Sequence, residues 1–214
     1  MSSWWSRLFR HPAQRVGISH SLSLQPFLEC HPPADDVRPA SDELLARYRG
    51  QLPEPLLALW QRVGLGRYGN GLITLVNPDD YKDQLYGWLM YDEEDPSRLP
   101  IAVTGFGLLI YYRRLGEDAE DVAYIDPNLR EAGVLAWSLE AAFNEALCST
   151  ETQAELLDAE LFAAALTRLG LLRAGQSYCF VPALALGGAK MPEQLEIGDA
   201  AVQLDLLLQL ANGE

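Results

Sequence analysis

Between residues 101 and 127 the chain changes its apolar period. Three short runs, IAVTGFG, LLIYYRR and DVAYIDP, are rich in Ile, Val, Tyr and Phe and are separated by Gly, Pro or charge clusters. Runs this short and this punctuated read as antiparallel strands joined in a meander. On both sides of them the apolar residues recur at helical spacing instead. That contrast predicts an α+β fold: an antiparallel sheet flanked by helices, with a mostly helical C-terminal part packed on it.

The helical segments carry their own start and stop signals. Ser41 is expected to cap a helix with Asp42 and Glu43 in its first turn and Gly50 at its end. Pro53 and Pro55 suit the start of the next, whose apolar face is Leu56, Leu57, Leu59, Trp60 and Val63, with Gly64 as its stop. Gly64, Gly66 and Gly69 spell G-x-G-x-x-G. A dinucleotide site needs a strand before that motif and a helix after it. Here a helix precedes and a strand over residues 72–76 follows, so the motif reads as a Gly-rich turn. Asn77 is a further cap, with Pro78, Asp79 and Asp80 in the first turn, and Ser138 and Asp199 cap later helices. Trp60, Tyr68 and Tyr81 read as packing residues. Residues 1–24 form a lead-in, 25–149 an α+β domain and 150–214 a helical C-terminal domain. The apolar stretch FVPALALGG, residues 180–188, is expected to be a buried seam docking that last part onto the sheet, with Gly187 and Gly188 supplying backbone freedom. On that reading Leu184→Asp or Leu186→Asp costs several kcal/mol.

Charge narrows the partners. Thirty acidic residues against 16 basic ones give −14, and residues 131–214 hold 12 acidic against 3 basic. Such a field repels nucleic acid and speeds encounter with a basic protein, although it also serves plain solubility. The three cysteines, Cys30, Cys148 and Cys179, lie far apart with no C-x-x-C, so neither a zinc knuckle nor a thioredoxin-like site is encoded, and free thiols suit a reducing cytoplasm. No run approaches the roughly 20 apolar residues of a membrane span. The N-terminus lacks the apolar core of a secretory signal. Trp4, Trp5, Leu8 and Phe9 allow an amphipathic anchor or a loosely docked tail. All three histidines, His11, His20 and His31, fall in the first 31 residues, which leaves the body of the chain without an imidazole for catalysis or metal binding. There is no P-loop, no H-E-x-x-H and no G-x-S-x-G. No cofactor and no metal are expected. A paired-carboxylate hydrolase leaves no linear trace and stays open.

Larger stretches carry a family resemblance. YRGQLPEPLLALWQRVG followed by GLITLVNPDDY resembles the GAD-like domain, and YCFVPALALGG with LEIGDAAVQLDLLLQL resembles the C-terminal domain that accompanies it in type VI secretion immunity proteins. Residues 1–24 have no counterpart. The resemblance implies a cytoplasmic antitoxin, not an enzyme, that binds a cognate effector one to one as a monomer. Relatives guard against DNase effectors of the HNH or GHH type, so a basic nuclease cleft is the implied target, with no nucleic acid or membrane partner. The expected toxin contacts are two acidic loops, Asp92, Glu93, Glu94 and Asp95, and Glu117, Asp118, Glu120 and Asp121, with Trp88 and Tyr91 as aromatic anchors. Two alternatives stand beside this. One is a small-molecule or nucleotide-processing enzyme with its site between the two parts. The other is a scaffold or regulatory module like the yeast cell-wall regulators.

Overall fold

The computed structural model describes residues 23–91, 93–117 and 119–213. The anchor residues Trp4, Trp5, Leu8 and Phe9, and the loop residues Asp92 and Asp118, lie outside them. Each expected cap closes its helix. Ser41 Oγ accepts from the Leu44 amide at 3.2 Å, Asn77 Oδ1 from Asp79 at 3.2 Å, Ser138 Oγ from Ala141 at 3.1 Å and Asp199 Oδ1 from Val202 at 3.0 Å.

Three helices open the described chain: α1 (Gln25–Cys30), α2 (Asp42–Tyr48) and α3 (Glu54–Arg62). Strand β1 (Gly66–Tyr68) then begins inside the Gly-rich motif, which is therefore more than a turn. It pairs with β2 (Ile73–Leu75), and α4 (Lys82–Leu89) follows. The meander continues through β3 (Arg98–Thr104), β4 (Leu109–Arg114), β5 (Glu120–Asp126) and β6 (Glu131–Ala136). All six strands are antiparallel to their neighbours, in the order of the sequence. Next come α5 (Leu139–Ala141), which runs into a π-helical turn (Ala142–Ala146), then α6 (Thr150–Glu155) and α7 (Ala159–Leu169). A hairpin of β7 (Gln176–Phe180) and β8 (Leu195–Asp199) leads into α8 (Ala200–Asn212).

The central strands are buried on both faces. Ile110 and Tyr112 of β4 and Val122 of β5 face a core shared with α1, α2, α3, α5 and α7. Leu109, Tyr111, Ala123 and Ile125 face the opposite way, against Leu85 of α4 and Ala200 and Leu204 of α8. Side chains alternate across a strand, so a sheet with two covered faces needs nearly continuous apolar runs, which is what the sequence shows. The C-terminal part grips the sheet from both sides. On the first face Phe162 of α7 meets Phe106 and Tyr178, Phe106 stacks on Phe180, and a Cβ on Gly105 would lie 2.4 Å from the Phe162 ring. On the second, Trp88 Nε1 donates to Leu204 O at 3.3 Å, and a Cβ on Gly87 would reach Leu208 at 2.8 Å. Glycine at both positions permits the close approach.

The segment at 180–188 corrects the sequence reading. Phe180 is buried and the Tyr178 amide donates to Gly105 O at 2.8 Å, so docking is done by β7 itself. Beyond Phe180 the chain turns outward. Leu184 is half-buried, Val181 is exposed and Leu186 is 63% exposed at the hairpin's turn. Phe180→Ala should cost about 3–5 kcal/mol in urea unfolding. Leu186→Asp should stay within about 0.5 kcal/mol of wild type, in contrast to the buried-seam expectation.

A polar tie joins α2 to α4. Asp79 accepts from Tyr48 Oη at 2.7 Å and Lys82 Nζ at 2.8 Å, and also from Arg47. Burial alone would raise the Asp79 carboxyl, but the bonds from Lys82, Tyr48 and Arg47 outweigh it and hold its pKa down at about 2. A carboxyl depressed on folding stabilises above its unfolded pKa and loses that contribution as pH falls through its folded value. Asp79→Asn should therefore destabilise by about 1–2 kcal/mol at neutral pH. Its gap to wild type should close between pH 3.8 and about 2, as read by urea midpoints across that range.

Candidate functional site

The two acidic loops predicted as contacts meet at one end of the sheet. Helix α4 ends on Met90, whose left-handed backbone (φ 56°) turns the chain into the first loop. That loop delivers the chain to β3. The second loop links β4 to β5. Arg98 opposes Arg113 across β3 and β4, and the Arg114 amide donates to Ser97 O at 2.8 Å, so the loops sit side by side.

Within them, neighbouring carboxylates have opposite roles. Asp95 Oδ1 accepts from the Ser97 amide at 2.9 Å and its hydroxyl at 2.6 Å, and Oδ2 pairs with Arg98. Those Ser97 bonds, with the Arg98 charge, hold its carboxyl below the usual range. Glu120 accepts from Tyr112 Oη at 2.9 Å and from the Leu139 amide at 2.9 Å, which anchors the start of α5. Asp121 is fully buried and receives a two-pronged bond from Arg113 at 2.7 and 2.6 Å. Trp88 is half-buried against α8. These four residues make contacts within the fold, and of them only Asp121 is withdrawn from the surface. Glu93, Glu94 and Glu117 stand exposed, and among the described residues only Glu94 has an ion-pair partner, Lys82 at 3.6 Å. Tyr91 is exposed with the Arg98 guanidinium 5.5 Å from its ring centre. Met90, 85% exposed, and Leu115 join it as apolar surface that sequence reasoning missed.

A second acidic surface has no counterpart in the sequence reading. A cleft of about 360 Å³ runs between the edge strand β6 and α6, lined by Leu129, Val134 and Leu156 with Asp126, Glu131, Glu151 and Glu155. Asp126 Oδ1 is engaged by the Asn128 and Leu129 amides at 2.9 and 3.2 Å, and burial pushes its carboxyl up. The three glutamates are exposed and make no ion pair among the described residues. The i,i+4 spacing of Glu151 and Glu155 puts them on one helix face, the single linear trace of this cleft.

His31 also departs from expectation. It is 3% exposed and inside the body of the protein, with Nε2 3.0 Å from Leu147 O. Burial lowers its pKa against the pull of that bond. Trp60, Tyr68 and Tyr81 are core residues, as read from the sequence. No helix among the described residues is long and apolar enough to cross a membrane.

Residues 23–122 match the GAD-like domain, and residues 140–211 match the family described as T6SS immunity protein Tdi1, C-terminal. No curated protein matches the chain. Among solved structures, that of Atu4351 from Agrobacterium tumefaciens is similar, with a TM-score of 0.68 at 22% identity over 86% of this chain and 88% of that one. At that identity the likeness shows a shared fold.

The division between engaged and exposed carboxylates is directly measurable. Asp121→Ala leaves Arg113 without its buried partner and should cost about 3–5 kcal/mol in denaturant unfolding. Glu93→Gln and Glu117→Gln should each change stability by less than about 0.5 kcal/mol.

Proposed function

From a chain that joins a GAD-like domain to a Tdi1-type C-terminal domain, we infer that the protein is a type VI secretion immunity protein that binds a cognate effector and blocks it by occupation. The match over residues 140–211 is the observation that carries this reading. The finer reading takes the effector as a nuclease. Its active site must be a basic cleft to hold phosphates, and fixed carboxylates on an acidic protein complement such a cleft. Inhibition by occupation asks no chemistry of the inhibitor, so no catalytic group or cofactor is needed. The encounter takes place in the cytoplasm, where an injected nuclease reaches DNA.

The proposed contact is the sheet end. Tyr91, Met90 and Leu115 supply its apolar residues, and Glu93, Glu94 and Glu117 a charged rim; Asp92 and Asp118 neighbour them in sequence and lie outside the described residues. An apolar centre with a polar rim is the usual anatomy of a tight interface. One copy of each partner, an interface of about 1,600 Å² and nanomolar affinity fit the task. The β6–α6 cleft is the alternative contact, favoured by three glutamates that make no ion pair among the described residues.

Titration against the purified effector domain, following binding and DNA cleavage at two salt concentrations, tests both levels. Stoichiometric protection that weakens with salt is expected. Glu93→Lys with Glu117→Lys should slow association at least about tenfold at low salt, while Glu131→Lys with Glu151→Lys should leave it unchanged. The reverse pattern moves the contact to the cleft. Tight binding without any protection of DNA would overturn the nuclease reading, and no binding would overturn the immunity reading for that pair.

A further inference from the structure

Cys30 ends α1, His31 caps it, and Cys148 lies just past the π-helical turn. One ring nitrogen of His31 and the two sulfurs lie within 4.8 Å of one another. We propose that Cys30, His31 and Cys148 form a site for one Zn²⁺ ion, with the fourth position open to water. Two sulfurs and an imidazole match the donors of a borderline-soft cation, whereas Mg²⁺ and Ca²⁺ require oxygen. Tetrahedral zinc with bonds of about 2.0–2.3 Å needs its donors roughly 3.5–3.8 Å apart, a closure within reach of side-chain rotation.

The surroundings resemble a metal's outer shell. Leu147 O only accepts, so His31 Nε2 carries the ring proton and Nδ1 keeps the lone pair. Gly69 stands beside that nitrogen: a Cβ there would lie 2.8 Å from Nδ1, and its absence leaves that position unfilled. Gln153 Nε2 is 3.3 Å from Cys30 Sγ, placed to donate to a thiolate. Cys30 is exposed, which gives the ion a path in. On binding, each thiol releases its proton to solvent, and the 3.3 Å bond from Cys148 Sγ to Phe143 O is replaced by the bond to zinc. Cys30 and His31 belong to the GAD-like match and Cys148 to the C-terminal match, so the ion clips the two regions together. This inference stands apart from the identity of any effector.

The full-length protein, reduced with a phosphine and stripped of metal, is titrated with Zn²⁺ against a chromophoric chelator and then with Co²⁺. Uptake of one Zn²⁺ per chain, a thiolate-to-cobalt charge-transfer band and a Tm that rises with Zn²⁺ are expected. Cys30→Ser, at the surface and so tolerated by the fold, should weaken zinc at least about tenfold and abolish the Tm response. Cys179→Ser should change neither. Equal binding by wild type and Cys30→Ser, a cobalt adduct without the band, or no stoichiometric uptake would each overturn the site, leaving only loose attraction of cations to an acidic surface.

Discussion

The structure depends on a sheet whose central strands are apolar on both faces. Neither face of β3, β4 or β5 tolerates water, so each needs a helical cover. The helices before β1 and those from α5 to α7 supply one. For the other, α4 alone is short, eight residues, and α8 completes the layer through Ala200 and Leu204. The β7–β8 hairpin exists to make that possible: it carries the chain from α7 on one face to α8 on the opposite one. Two regions that match separate families thus pack on one six-stranded sheet, and the C-terminal one is part of the fold rather than an appendage.

Local signals were legible because their physics is local. A cap needs one side-chain oxygen two or three residues from an amide, and Ser41, Asn77, Ser138 and Asp199 all read correctly. Strand β1 left little trace, since three residues carry no period and its pairing is backbone to backbone with β2. The β7–β8 hairpin is hidden by the fourteen residues between its strands, 181–194, many of which look like a core. FVPALALGG misled because apolar composition was read as burial. More than half of a typical folded surface is apolar, and the outer part of this segment belongs to it.

The acidic loops show where one-dimensional reading stops. Glu117, Glu120 and Asp121 are nearly adjacent and of one chemical type. Register decides between them: the β4–β5 hairpin sets Asp121 opposite Arg113 and Glu120 opposite Arg114, while Glu117 is left in the turn. Burial then makes the Asp121 pair obligatory, because a guanidinium left there without its carboxylate is costly. The Cys30, His31 and Cys148 cluster was invisible for a related reason. His31 meets Leu147 across 116 positions of chain, and no spacing rule spans that distance.

The arrangement of charge at the sheet end bears on how an acidic inhibitor gains affinity without exact pairing in advance. Arg98 and Arg113 hold Asp95 and Asp121, and Arg114 is committed to the carbonyls of Gly50 and Gln51. These three arginines are therefore occupied within the fold, and like-charged carboxylates on the exposed loops repel one another within the Debye length, about 10 Å at 0.1 M salt. A basic partner relieves that repulsion as well as adding its own attraction. The proposed contact needs no rearrangement of the scaffold to do this, because the residues that shape the loops are distinct from those that face outward. On the proposed contact, strength of binding would follow the partner's positive charge and the ionic strength, while selectivity would fall to the exposed apolar residues Met90, Tyr91 and Leu115.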